Sequence, residues 1–220
     1  MTYLELVRRL AREVGASGVI QSLQTVEGEA KRLADWVNQA WLDIQLVRDT
    51  WSWRLNEFEV AVPSGSAIVD TSTITDFYKP LKGYVYGKFS SSTSWCPLEF
   101  VDFQTWQDYV RTSPTAISQP TSYTLKPDRT VELYPIPAND YSVRGLYVKK
   151  PQQLVNDFDV PILPEEFHPL IVYQAMMLYA QYEAAPEIFQ AGVQGLTEFI
   201  IVCLIRKRRM FTCRRRSHNG

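Results

Sequence analysis

The spacing of apolar residues changes period twice along this chain. Up to Trp53 the apolar positions recur every three or four residues, between about 55 and 150 they alternate every second residue, and from Leu163 the helical spacing returns. A helix-period pattern does not settle as a strand, nor a strand-period pattern as a helix. The sequence therefore predicts an α+β fold class: an antiparallel α-helical bundle from the N- and C-terminal segments, with an inserted antiparallel β-rich module. The predicted boundaries are 1–54 and 155–208 for the discontinuous helical bundle, 55–154 for the insertion, and 209–220 for a basic C-terminal tail.

Thr2 and Glu5 stand at capping-box spacing, each able to bond a backbone N–H near the other. Tyr3, Leu6, Leu10 and Val14 follow at gaps of three and four, which predicts an amphipathic helix over 2–14 ended by Gly15 and Gly18. A longer helix is predicted from about Thr25 to Thr50. Ala30, Leu33, Val37, Ala40, Ile44, Val47 and Trp51 form its stripe, which Trp36 and Trp41 widen into a core or subunit interface.

In the middle, Phe58, Val60 and Val62 alternate with Glu57, Glu59 and Ala61 before the turn Pro63–Ser66. Leu81–Gly87 reads as another strand and 102–111 as a short helix with Phe103, Trp106, Tyr109 and Val110 on one side. Tyr123 and Leu125 alternate into a turn at 126–129, and Val131 and Leu133 alternate out of it, which predicts an antiparallel hairpin. Tyr141–Lys149 would add a third strand to that meander.

Helices resume after Pro161 and Pro164. Glu165 and Glu166 suit the positive end of a helix dipole, and Pro169 is tolerable near a helix start. Phe167, Ile171, Gln174, Leu178 and Tyr182 share one face, and Leu170, Tyr173 and Met177 a second, so this helix is expected to be buried on two sides. A short break at Ala184-Ala185-Pro186 leads to Phe189, Val193, Leu196, Ile200 and Cys203, which predicts an antiparallel helical hairpin.

Signs of chemistry are few. Hydrophobic residues make up 45% and charged residues 21% of the 220, a globular composition. No phosphate-binding glycine loop, nucleophile elbow or zinc-protease motif occurs. Cys96, Cys203 and Cys213 are odd in number and form no Cys-x-x-Cys pair, and His168 and His218 complete no zinc spacing with them. His168 beside Glu165 and Glu166 reads as the polar first turn of a helix. Asp157 and Asp159 read as loop carboxylates, too few oxygen donors for calcium. The expectation is no catalytic residues, no metal and no cofactor. The longest apolar run, Phe199–Ile205, is seven residues against the roughly 18–20 of a membrane span, and the N-terminus has no apolar stretch like a signal peptide.

The net charge of −1 conceals an asymmetry. Arg206, Lys207, Arg208, Arg209, Arg214, Arg215 and Arg216 are seven bases with no acid among them, which leaves 16 bases against 24 acids, a net of −8, on the rest. Such a run stays extended until an acidic partner neutralises it. Sequence-blind contact with nucleic acid is one use of it, but the acidic body would repel a duplex.

The opening helix Met1–Gly15, the long helix through Trp36–Leu46 with Trp51-Ser-Trp-Arg54 after it, and the segment Leu163–Pro186 following a β-rich insertion together resemble the head–tail adaptor (connector or head-completion) proteins of tailed bacteriophages. The resemblance implies a structural virion protein at the head–tail junction, made in the host bacterial cytoplasm. It implies a homo-oligomeric ring, of about twelve copies if the heterologous interface closes as in its kin. The implied partners are the portal protein above, a downstream neck or tail protein below, and genomic DNA passing through the channel, with no membrane. Trp36, Trp41, Phe199, Ile200 and Ile201 are then candidate subunit-interface residues, and the seven bases of the tail a candidate partner-binding segment. Two other readings remain open: a nucleic-acid-binding packaging accessory acting through the basic tail, and a carbohydrate-binding or tail-tip module using the aromatic β segment.

Overall fold

The computed structural model describes residues 1–48, 50–112 and 116–198, with only the backbone of 109–111. The tail bases Arg206–Arg216 and the apolar Phe199, Ile200 and Ile201 lie outside the described residues. The fold is mixed α+β with mainly antiparallel sheets. It divides into two compact units, Met1–Arg48 with Pro151–Gly220, and Asp49–Lys150.

In the first unit, α1 (Tyr3–Glu13) starts with both halves of the capping box formed: Glu5 N donates to Thr2 Oγ1 at 3.3 Å and Thr2 N to Glu5 Oε2 at 2.8 Å. Helix α2 (Gly28–Leu46) is shorter at both ends than its stripe predicts. Gly28 has φ +62°, outside the helical region, so the helix cannot extend upstream through it. At the other end Val47 is 80% exposed, and a stripe with nothing to cover it does not prolong a helix. Helix α4 (Pro169–Glu183) has Pro169 in its first turn and ends at Ala184 in the left-handed conformation, after which residues 186–198 form α5.

Helices α1, α2 and α4 pack pairwise. They bury Leu6, Val7 and Leu10, then Leu33, Val37, Ala40 and Trp41, then Ile171, Val172 and Ala175. The buried stripe of α4 is thus 171, 172, 175, 176 and 180, and Tyr182, expected inside, is exposed. Nearly every position of this helix is apolar, so its periodicity does not single out the inner face. The second apolar face is half-buried, and α5 lies close against it. A Cβ on Gly192 would stand 2.9 Å from the Tyr173 carbonyl oxygen, and one on Gly195 would stand 2.6 Å from the Tyr173 ring.

Among its described residues the second unit contains two four-stranded sheets. One has β1 (Leu55–Val62), β10 (Tyr141–Lys149), β3 (Phe77–Phe89) and β4 (Cys96–Pro97) in that order. The other has β2 (Ile68–Val69), β8 (Val131–Tyr134), β7 (Ser122–Leu125) and β5 (Glu99–Phe100), and a two-stranded parallel pair joins β6 (Ile117–Ser118) to β9 (Ile136–Pro137). The hairpin β7–β8 forms as predicted, closed by Lys126 N donating to the Thr130 carbonyl. Strand β10 is not the third strand of that meander: it lies between β1 and β3, antiparallel to both. Alternation reveals a strand but not its neighbour, and the eight-residue β1 offers a far longer ladder than the four-residue β8. One core serves both sheets, with Phe58, Val85, Tyr141, Val143 and Tyr147 from one and Tyr123, Val131 and Leu133 from the other. The inner strand must be bare where rings cross it, and a Cβ on Gly87 would fall on the Tyr141 ring.

Helix α3 (Phe103–Thr112) starts at Asp102, whose Oδ1 accepts from Gln104 N and Thr105 N. The Thr105 hydroxyl bond, followed by the Thr105 N–H, holds the Asp102 carboxyl below the ordinary carboxylate range. Trp106 is buried, donating Nε1–H to Glu132 Oε2 at 3.1 Å, and Lys126 pairs with the same oxygen at 3.0 Å.

Candidate assembly surfaces

Among the described residues no group of three or more His, Cys, Asp or Glu could hold a metal ion, and no helix is long and apolar enough to cross a membrane. The groups that sequence reading considered for chemistry have structural work instead. His168 is 1% exposed. Its Nε2 lies 2.8 Å from the Leu163 carbonyl, which can only accept, so Nε2 carries the proton and Nδ1 accepts from the Met1 amino group at 2.8 Å. Burial keeps its pKa below the ordinary 6.5, against the opposing pull of the Leu163 carbonyl. The expected polar first turn is therefore a buried anchor, and Glu165 and Glu166 sit in a separate 3-10 turn ahead of α4.

Asp157 and Asp159 organise the loop that precedes α4. Asp159 Oδ2 accepts from Val155 N at 2.7 Å and Asn156 N at 2.8 Å, and these bonds, the Asn156 one foremost, hold its carboxyl below the ordinary range. Asp157 Oδ1 accepts from Leu23 N at 2.8 Å. The first N–H groups of a helix have no partner within it. In α1, Tyr3 N donates to the Asp159 carbonyl at 2.8 Å and Leu4 N to the Asp157 carbonyl at 3.1 Å. The residue between them, Phe158, is 82% exposed, with Val155 and Val160 exposed on either side.

A second surface runs along α2 and α4. Trp36 is half-buried, edge-on to Tyr179 at 5.5 Å and tilted against Tyr182 at 5.4 Å, and the Arg32 guanidinium lies 5.2 Å from the Tyr182 ring centre. Trp41 differs: it has no exposed surface and belongs to the core of its own unit. The stripe that both tryptophans flank fits a core or a subunit interface, the family resemblance made both candidates for the interface, and packing separates them. Sequence reading did not single out Phe158, although an aromatic between two aspartates in a loop is a signal that could have been weighed. In the β unit, Trp95 lies under two cations, Arg144 at 4.2 Å and Lys88 at 5.0 Å. Tyr84 stands exposed on β3 of the same unit.

The model of the SU10 adaptor protein family matches residues 1–212. The chain belongs to that family, a family of phage head–tail adaptors. Membership makes it a structural component of a virion that meets other head and tail proteins. No curated protein matches the chain.

Proposed function

We propose that this chain is a ring-forming head–tail adaptor. About twelve copies dock beneath the portal, extend the DNA channel, and present a surface to the next neck or tail protein, with no catalytic step of their own. The family match over residues 1–212 carries this reading. Supporting it, Tyr182 and Phe158 stand exposed and Trp36 half-buried on the helical unit, apolar surface that neighbouring copies can cover. In this reading 1–54 and 155–208 form the helical bundle, 55–154 the insertion, and the bases from Arg206 to Arg216 contact the portal. Native mass spectrometry over a concentration series, alone and with the phage's portal protein, tests it. The expected result is a closed ring in at least one condition, and a chain that stays monomeric in both overturns the reading.

The seven tail bases favour one other reading, a packaging accessory that binds nucleic acid. A salt titration against duplex DNA separates the two. Tail-driven binding loses affinity with a log–log slope of about 0.9 per phosphate contact, and an adaptor that leaves DNA free to slide shows no such binding.

A further inference from the structure

We propose that the Phe158 loop is the plug, and the groove beside α1 the socket, of a head-to-tail contact between two copies of this chain. The inference rests on the ring reading above and names the surfaces that would make the ring.

The plug is built to keep its shape. Asp159 ties down the turn from within, Asp157 fastens it to Leu23, and the first two N–H groups of α1 hold the carbonyls on either side of Phe158. Little ordering is left for binding to impose, which is the advantage of a preorganised contact. The ring of Phe158 stands 82% exposed between two carboxylates.

The socket has the opposite character. Ala16 and the exposed Val19 give its apolar surface over the buried Ala11 and Ile20. Around them stand Arg8, held to the Ile20 carbonyl, Arg9, paired with Glu13, and Arg12, with Glu5 the one acid of the lining. Val19 is 87% exposed. Arg12 is exposed, and its side chain makes no bond or ion pair among the described residues. An aromatic flanked by acids thus faces, on another copy, an apolar groove flanked by bases. Aromatic anchors seated in pockets, with charge complementarity around them, are what concentrates binding energy at an interface and sets its register. When the socket of one copy takes the plug of a second while its own plug enters a third, the contact is heterologous and propagates from copy to copy until it closes.

A disulfide across the contact is the test. Cys96, Cys203 and Cys213 are replaced by Ser, and Phe158→Cys is combined with Val19→Cys. The protein is then oxidised, alone and on the portal ring, and run without reductant beside native mass spectra of the same samples. The expected result is a ladder of covalent species reaching the ring size, absent from either single-cysteine variant. A ring without a ladder overturns plug and socket but leaves the ring reading standing. A covalent dimer with nothing larger overturns the head-to-tail arrangement in favour of a two-fold pair. A monomer in every condition overturns both. In the otherwise native chain, Phe158→Ser should keep its fold and weaken self-association roughly 30-fold. Unchanged assembly with that variant also overturns the proposal.

Discussion

In the β unit the chain is closed by ladders. β10 is bonded along its length to β1 on one side and to β3 on the other, and a single aromatic-rich core serves both four-stranded sheets. In the helical unit, segments distant in sequence are stitched by single side chains. Gln45 is fully buried, with Nε2 donating to the Gln152 carbonyl and Oε1 accepting from Gln152 N, while Asn38 Oδ1 accepts from Leu154 N. The two also differ in what they leave uncovered. Among the described residues, twelve large apolar side chains are well exposed, and only Ile68, Tyr84 and Ile117 belong to the β unit. The other nine belong to the helical unit. The β unit covers most of its large apolar residues, whereas the helical unit leaves more of them uncovered.

That contrast can be broken from either side, and amide exchange resolved by residue tells which unit responds. Trp41→Ala should do the most damage, about 4 kcal/mol, because it empties a fully buried indole from the helical core. Protection should fall in α1, α2 and α4 and persist in the strands, and equal loss in both units would end the idea of separate cores. Gly87→Ala is the counterpart in the β unit. Its methyl must displace the buried Tyr141 ring, at about 2 kcal/mol, with loss of protection in β3 and β10 first. Asp102→Ala should do less, fraying α3 alone, because it removes the acceptor of the Gln104 and Thr105 N–H groups.

Acid should act on the helical unit through His168. A histidine whose folded pKa is depressed contributes its stability fully above its ordinary value of 6.5, and that contribution is lost as pH falls toward and through the folded value. Denaturation midpoints should therefore drop below pH 6.5, and His168→Gln should flatten the slope. Smallest of all, Phe158→Ser should change stability by no more than about 0.5 kcal/mol, because so exposed a ring packs on little of its own chain. A larger loss would make that ring part of the helical core.

Where local chemistry decides, the sequence was legible. Thr2 and Glu5 cap α1, Pro169 sits in the first turn of α4, and the turn at 126–129 closes β7 on β8, each as its spacing implies. Where the decision is tertiary, the pattern was silent. Strand β10 alternates like any half-buried strand, and nothing within it names β1 as its neighbour. An apolar residue at every turn position of α4 left its inner face undetermined until α1 and α2 were in place. Trp36 and Trp41 stand alike in the sequence, and only packing shows that one is half-buried and the other sealed in the helical core. Asp157, Asp159 and His168 read as ordinary loop and turn residues, and their anchoring work stayed hidden because most of their partners are backbone groups, which a pattern of side chains does not display.

The way α1 begins also limits how this protein can vary. Its first two N–H groups need the carbonyls of Asp157 and Asp159, so an insertion or deletion between those residues would strip the helix of an acceptor. Exchanging the side chain at 158 disturbs neither bond. A lineage adapting to a new neighbour can therefore rewrite which residue it presents there while the length of the loop stays fixed.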